Sequence, residues 1–206
     1  MRMTHFIRVF AAICLALFIA TPAMAAPADP WAAKAESYLQ NLRQAKAEFE
    51  LIAPDNSVRK GTFYLKRPGR LRFEYAQAPF DLIIADGTLM NFYDATAKQA
   101  QSAPIQATIA NFFLRRDMSL SGDLKVASVE DQKEYVHVNV VQAKEPDAGQ
   151  LTLSFSKQPF VLKGWRVSEY NGNVTRVRLR NLQVNPDLPA SLFVYRDPSG
   201  RSLPNK

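Results

Sequence analysis

The chain has one cysteine and two histidines in 206 residues. Cys14 lies inside an apolar run near the start, and His5 precedes that run. Beyond residue 25 there is therefore no thiol, no disulfide and no Cys-based metal site, and one imidazole, His137. Zinc sites and most nucleophile–base pairs draw on His, Cys or clustered carboxylates, so this scarcity removes most enzyme classes. No Gly-x-Ser-x-Gly elbow occurs, and Gly61, Gly69, Gly87 and Gly122 stand singly at turns or strand ends, so no glycine-rich loop cradles a phosphate. After residue 25 no apolar stretch reaches the ~20 residues of a spanning helix. No cofactor is expected.

Residues 1–25 have the layout of a secretory signal peptide. Arg2 and Arg8 lead into the uncharged run from Val9 to Ala20, Thr21-Pro22 breaks it, and Ala23-Met24-Ala25 is a small-x-small cleavage pattern. Cys14 sits within the run rather than after the cleavage point, so it reads as a small hydrophobe and not as a lipidated cysteine. The expected organisation is a cleaved signal over 1–25 and a single domain over 26–206. Without Arg2 and Arg8, the 26 basic residues fall to 24 against 19 acidic ones, a net charge of +5. In an exported protein that excess points to anionic lipid, an acidic partner or solubility rather than to nucleic acid.

What is present is alternation. An opening helix is predicted from Asp29 as N-cap, Pro30 in the first turn, and Trp31, Ala35, Tyr38, Leu39 and Leu42 at helical spacing, fading over 44–47. The period then becomes two: Phe49 and Leu51, Phe63 and Leu65, and Leu71, Phe73 and Tyr75 alternate with polar residues, with turns at 54–57 and 67–69. Strands follow at 80–85 and 89–94 around Asp86-Gly87, then at 99–103, 124–129, 135–141, 151–155, 162–170 and 174–184. About ten or eleven short strands with no βαβ alternation make an antiparallel sandwich or barrel. One segment departs from this pattern: Ile105, Ile109, Phe112 and Phe113 form a helical apolar stripe. It is either a cover over a concave sheet or a crossover filling an ordinary core.

Few residues offer chemistry. His137 alternates with Val136 and Val138 and is expected to face solvent, while Glu48/Glu50 and Asp86/Asp94 fit an exposed strand face and turn chemistry. Arg176, Arg178 and Arg180 share one strand face, as a docking stripe or simply as a solvated outer face.

The run from Gly61 to Tyr75, Gly-Thr-Phe-Tyr-Leu-Lys-Arg-Pro-Gly-Arg-Leu-Arg-Phe-Glu-Tyr, resembles the LolA-type outer-membrane lipoprotein carriers. The likeness continues through Pro79, Ile84-Ala85-Asp86-Gly87, Leu89, Phe92-Tyr93-Asp94 and Gln99, and at the end through Leu192-Phe193-Val194-Tyr195. Asn91 and Ala95 depart from residues frequent in the family. The resemblance implies a mainly β fold: an unclosed antiparallel β-barrel with an N-terminal helix and a short helical lid over a hydrophobic cavity. It implies a monomeric periplasmic carrier, not an enzyme. Such a carrier receives acyl chains of outer-membrane lipoproteins from an inner-membrane releasing transporter and passes them to an outer-membrane receptor. Arg67, in Lys-Arg-Pro, corresponds to the family's lid latch. Phe49, Leu51, Phe63, Leu65, Leu71, Phe73, Tyr75, Leu82 and Ile84 are then expected to line the cavity, beneath a lid carrying Ile105, Ile109, Phe112 and Phe113. The same scaffold also serves periplasmic lipid binders and lipoprotein sensors, which stand as the alternative. An acyl hydrolase would need His137 beside a serine and a carboxylate.

Overall fold

The computed structural model describes residues 29–107 and 111–196; the leader at 1–25 and Ile109 lie outside them. Helix α1 spans Pro30–Asn41, with the Asp29 carboxylate accepting from the Trp31 and Ala32 amides at 2.8 and 3.3 Å. That cap satisfies donors a helix start would otherwise leave open. Eleven strands follow: β1 (Gln44–Ile52), β2 (Val58–Lys66), β3 (Arg70–Tyr75), β4 (Leu82–Asp86), β5 (Leu89–Asp94), β6 (Gln99–Pro104), β7 (Leu124–Asp131), β8 (Tyr135–Gln142), β9 (Gly149–Lys157), β10 (Phe160–Glu169) and β11 (Val174–Val184). Between β6 and β7 lie a 3-10 turn, Ile105–Ala107, and a short helix α2, Asn111–Leu114.

All eleven strands form one sheet in the order β6-β5-β4-β3-β2-β1-β11-β10-β9-β8-β7, every neighbouring pair antiparallel. The sheet is mainly two meanders joined through β1 and β11, and β6 and β7 are its unpaired edges. It curls strongly. Trp165 of β10 and Phe63 of β2 stand three strands apart, roughly 14 Å along a flat sheet, yet their ring centroids are 5.7 Å apart.

The expected helical fade at 44–47 is strand instead, and a distant residue explains it. Asn185 Oδ1 accepts from the Arg43 and Gln44 amides at 2.8 and 2.9 Å, and its Nδ2 donates to the Asn41 carbonyl at 3.0 Å. The junction from helix to strand is thus fixed by a side chain more than a hundred residues later. Similarly, strand β4 begins at Leu82 rather than at Phe80, which projects to solvent.

Register assigns the faces, because successive side chains in a strand point to opposite sides. Phe49, Leu51, Phe63, Leu65, Leu71, Phe73 and Tyr75 all join the concave-side core, as the alternation predicts. Helix α1 closes one part of that face with Ala32, Ala35 and Leu39, and Tyr38 meets Phe155 and Phe160 edge-on at 5.6 and 5.9 Å. Gly61 lies opposite Phe49, and a Cβ there would come within 2.7 Å of the Phe49 ring. The missing side chain lets that ring lie down.

Two expected lining residues are corrected. Leu82 pairs with Glu74 and Ile84 with Arg72, so both stand on the outer face, while Ile83 and Ala85 point inward opposite Phe73 and Leu71. Ile84 is fully buried nonetheless, because the C-terminal 3-10 turn Ala190–Phe193 packs over β3 and β4, and Arg72 Nη1 donates to the Leu192 carbonyl at 3.2 Å. Both faces of β4 are covered, which is why its Leu-Ile-Ile run shows no alternation. Asn91 belongs to this outer layer too, accepting from Ser102 Oγ at 2.7 Å, so its departure from the family pattern leaves the concave face untouched.

Two stability outcomes follow. In urea unfolding, Phe155→Ala is expected to lose about 3–5 kcal/mol, while Tyr170→Ser, at an exposed site, should stay within about 0.5 kcal/mol. Asn185→Ala removes three hydrogen bonds from a residue at φ 53° and is expected to cost roughly 2 kcal/mol.

Candidate functional site

The concave face presents a continuous aromatic floor. Tyr75 and Phe73 flank Phe49 at 5.2 and 5.0 Å, Phe63 meets Phe73 at 5.0 Å, and Trp165 meets Phe63 and, at 4.7 Å, Phe113 of the lid. The segment between β6 and β7 lies on this floor. Ile105, Phe112, Phe113 and Leu114 are all buried in the same core cluster, and Met118 and Leu120 continue it. Ile109 falls in the stretch outside the described residues. The two readings of the stripe therefore merge: the segment is a crossover, and it covers the concave face by filling it.

Beside α2 the face opens into a cavity of about 510 Å3, lined by Phe112, Leu124, Val140, Leu151 and Val167 with Arg115 and Asp123 at its rim. Arg115 and Asp123 pair bidentately at 2.8 Å, and the Arg115 bonds hold the Asp123 carboxyl below its ordinary range. This opening lies where α2 and its flank meet strands β7 to β10 and is not a closed void.

Arg67 ties α2 to α1. It is 8% exposed, and its guanidinium reaches three backbone carbonyls: Nε donates to Phe113 O at 2.6 Å, and Nη1 donates to Leu42 O at 3.0 Å and to Leu39 O. Two of these acceptors belong to the C-terminal end of α1, where the helix dipole is negative and carbonyls are short of donors; Leu39 O otherwise accepts the Leu42 amide at 3.3 Å. The third belongs to α2. The Gly69 amide adds a bond to Leu114 O at 2.8 Å, and the Arg67 amide donates to Arg43 O at 2.9 Å. Burial, helped by nearby Arg43, pushes the Arg67 guanidinium down to about 10. It stays charged at neutral pH, and confining that charge costs on the order of 3 kcal/mol, which the carbonyls must offset. Among the described residues its Nη2 finds no acceptor. The bridge is strong in geometry and incomplete in satisfaction.

The remaining candidates sort simply. Glu50 takes Arg178 at 3.0 Å, and Asp86 and Asp94 accept backbone amides of their own turns. His137 is half-buried on the outer face rather than open to solvent, and its Nδ1 lies 2.8 Å from Ser154 Oγ. A serine–imidazole pair thus exists. No carboxylate bonds the ring among the described residues, and β9, which carries Ser154, is paired on both sides, so its neighbouring amides serve the ladder and offer no oxyanion hole.

Sequence reasoning missed Trp165, Val177 and Leu179 as floor residues. The reason for Trp165 is a bulge: register shifts between Leu162 and Gly164, so Leu162 and Trp165, three apart, both point inward. A strict period of two places that tryptophan outside.

The family model described as "Outer membrane lipoprotein carrier protein LolA" matches residues 40–196. An outer-membrane lipoprotein carrier protein of Legionella pneumophila (strain Paris) is 29% identical over 173 residues, covering 80% of this chain and 85% of its own length. One from Dechloromonas aromatica (strain RCB) is 27% identical over 215 residues, covering 98% and 99%. Among solved structures, a LolA superfamily protein from Nitrosomonas europaea superposes with a TM-score of 0.43 at 12% identity, over 80% of this chain and 97% of that one. The matched segment runs from the end of α1 through the whole sheet, the lid and Arg67, and on that basis the chain belongs to the LolA family of outer membrane lipoprotein carrier proteins.

Proposed function

We propose that this chain escorts lipoprotein acyl chains across the periplasm on its concave face, with α2 and its flanks as a displaceable lid and Arg67 as the latch. The observation that carries this reading is the bridge from one guanidinium to the carbonyls of α1 and α2. In this reading the cargo comes from an inner-membrane releasing transporter, goes to an outer-membrane receptor, and is carried by a monomer.

The energetics support a lid of this kind. Each methylene withdrawn from a membrane costs about 0.8 kcal/mol, so a whole chain costs on the order of 10 kcal/mol. An escort must replace most of that environment and still let go. Here the incoming chain displaces Ile105, Phe112, Phe113 and Leu114 from the aromatic floor, exchanging one apolar contact for another at little net gain. A four-residue helix has no stability of its own, so it yields without unfolding the sheet. What cargo must break is the polar bridge. Because those hydrogen bonds exist only in the closed state, they subtract from the binding energy and favour release. The buried, incompletely satisfied charge keeps the closed state from being too deep.

Arg67→Leu leaves the Phe113, Leu39 and Leu42 carbonyls without their donor. In the empty protein, hydrogen exchange at the Gly69 amide, which is bonded to the lid, is expected to accelerate roughly tenfold or more. The loaded variant is expected to keep its cargo and deliver it to acceptor membranes at least about tenfold more slowly. Delivery at the rate of the unsubstituted protein would remove the latch from this account. Arg67→Lys, a single compact charge that cannot span both helices, should fall between the two.

A further inference from the structure

The sheet's outer face, opposite the lid, holds a polar site built from two cross-strand rows. In one, Glu130, His137, Ser154, Gly164 and Arg178 stand opposite one another in sequence across β7 to β11. In the next, Ser128, Asn139, Thr152, Arg166 and Arg176 do the same. The first row and, from the second, Thr152, Arg166 and Arg176 border a cavity of about 540 Å3. Its floor is bare at Gly164, which is held at φ 149°, where a Cβ would come within 2.0 Å of the Val177 carbonyl oxygen. No larger residue fits there.

The second row ends in an unusual pair. Arg166 and Arg176 are direct cross-strand partners, and like charges so placed repel. Neither has a carboxylate among the described residues: Glu50 is taken by Arg178, and Glu130 accepts from Asn139. Among the described residues the side-chain partner of Arg166 is Thr152 Oγ1 at 3.2 Å, and its buried Nε meets no acceptor there. Arg166 is nevertheless well positioned. Thr152 and Asn139 are 4% and 2% exposed, Thr152 Oγ1 donates to Asn139 Oδ1 at 2.6 Å, and Asn139 Nδ2 donates to Ser128 and Glu130 at 2.9 and 2.8 Å. With its proton committed to Asn139, the Thr152 oxygen accepts from the guanidinium at 3.2 Å and from Gln150 Nε2 at 3.3 Å, and so orients Arg166. A prearranged, uncompensated pair of arginines in a concavity is a binding site for an anion.

We propose that the outer groove binds a phosphoryl oxyanion between Arg166 and Arg176, with Ser154 and His137 beside it. A planar carboxylate offers two oxygens and matches one guanidinium fork. A phosphoryl group has three or more arranged tetrahedrally and can engage both forks and a hydroxyl at once. The group is either free phosphate or the phosphate of an anionic lipid headgroup. Arg166, Arg176, Ser154 and His137 are not among the concave-side core residues, although the backbone of Trp165, Val177 and Leu179 runs beneath both faces, so the proposal stands or falls independently of the carrier reading.

The test uses the full chain without cargo. Inorganic phosphate is titrated by calorimetry, and co-sedimentation is measured with phosphatidylglycerol and with phosphatidylcholine vesicles. Arg176→Gln, at a guanidinium with no carboxylate partner among the described residues, is expected to weaken binding roughly tenfold, Arg166→Gln at least as much, and Arg176→Lys less. Lys125→Gln, the same charge loss on β7 outside the groove, should leave binding nearly unchanged. Saturable phosphate binding with this pattern identifies free phosphate as the ligand source. Phosphatidylglycerol binding with the same pattern and no phosphate binding identifies the headgroup. The proposal is overturned if neither probe binds, if Lys125→Gln weakens binding as much as Arg176→Gln, or if polyglutamate displaces the probe better than phosphate does.

Discussion

Strands β6 and β7 are consecutive in the chain but stand at opposite edges of an eleven-stranded sheet. That single topological constraint forces the intervening segment to cross from edge to edge. The concave side is the route that buries its apolar residues, so Ile105, Phe112, Phe113 and Leu114 settle on the aromatic floor. A segment placed there makes no ladder with its neighbours. Its hold on the protein comes from side-chain burial and from the backbone carbonyls it offers: Phe113 O to Arg67, Leu114 O to the Gly69 amide and Met118 O to Gln40 Nε2.

The arrangement separates two kinds of stability. The sheet and α1 carry dense burial: Leu39, Leu153 and Phe155 are fully enclosed, and each would leave a cavity if shortened. Helix α2 is short, and its bond to Arg67 depends on a charge that burial disfavours. Burial is thus deep in the sheet and α1, while the segment between β6 and β7 adds a short helix and a few backbone hydrogen bonds. The two faces are also divided by chemistry. Alternation sends phenylalanine and leucine inward on β1 to β3 and sends arginine, threonine and asparagine outward on β8 to β11.

Much of this was readable without coordinates. The strands around Phe49, Phe63 and Phe73 alternate cleanly because only one of their faces is apolar, and all seven residues expected inward from β1 to β3 lie there. Leu82 and Ile84 misled because β4 is covered on both sides, by the core and by the C-terminal turn, so its sequence carries no parity. Trp165 was hidden by a bulge that shifts the count by one. Arg67 stood out through the Lys-Arg-Pro motif, but its three acceptors lie on segments 25 to 46 residues away, and no spacing rule points to them.

By itself the sequence determined a run of about ten or eleven strands, the opening helix with its Asp29 cap, the apolar set of β1 to β3 and the scarcity of catalytic side chains. These depend on neighbours within a few residues, and local patterning suffices to read them. The tertiary structure alone decided where α1 stops, through Asn185. It also decided which face β4 turns inward and how Arg67 joins two helices. It set Arg166 against Arg176 with no acid between them. Each of these is a meeting of residues far apart in the chain, fixed by strand order and register, and those are settled only when the whole sheet is assembled.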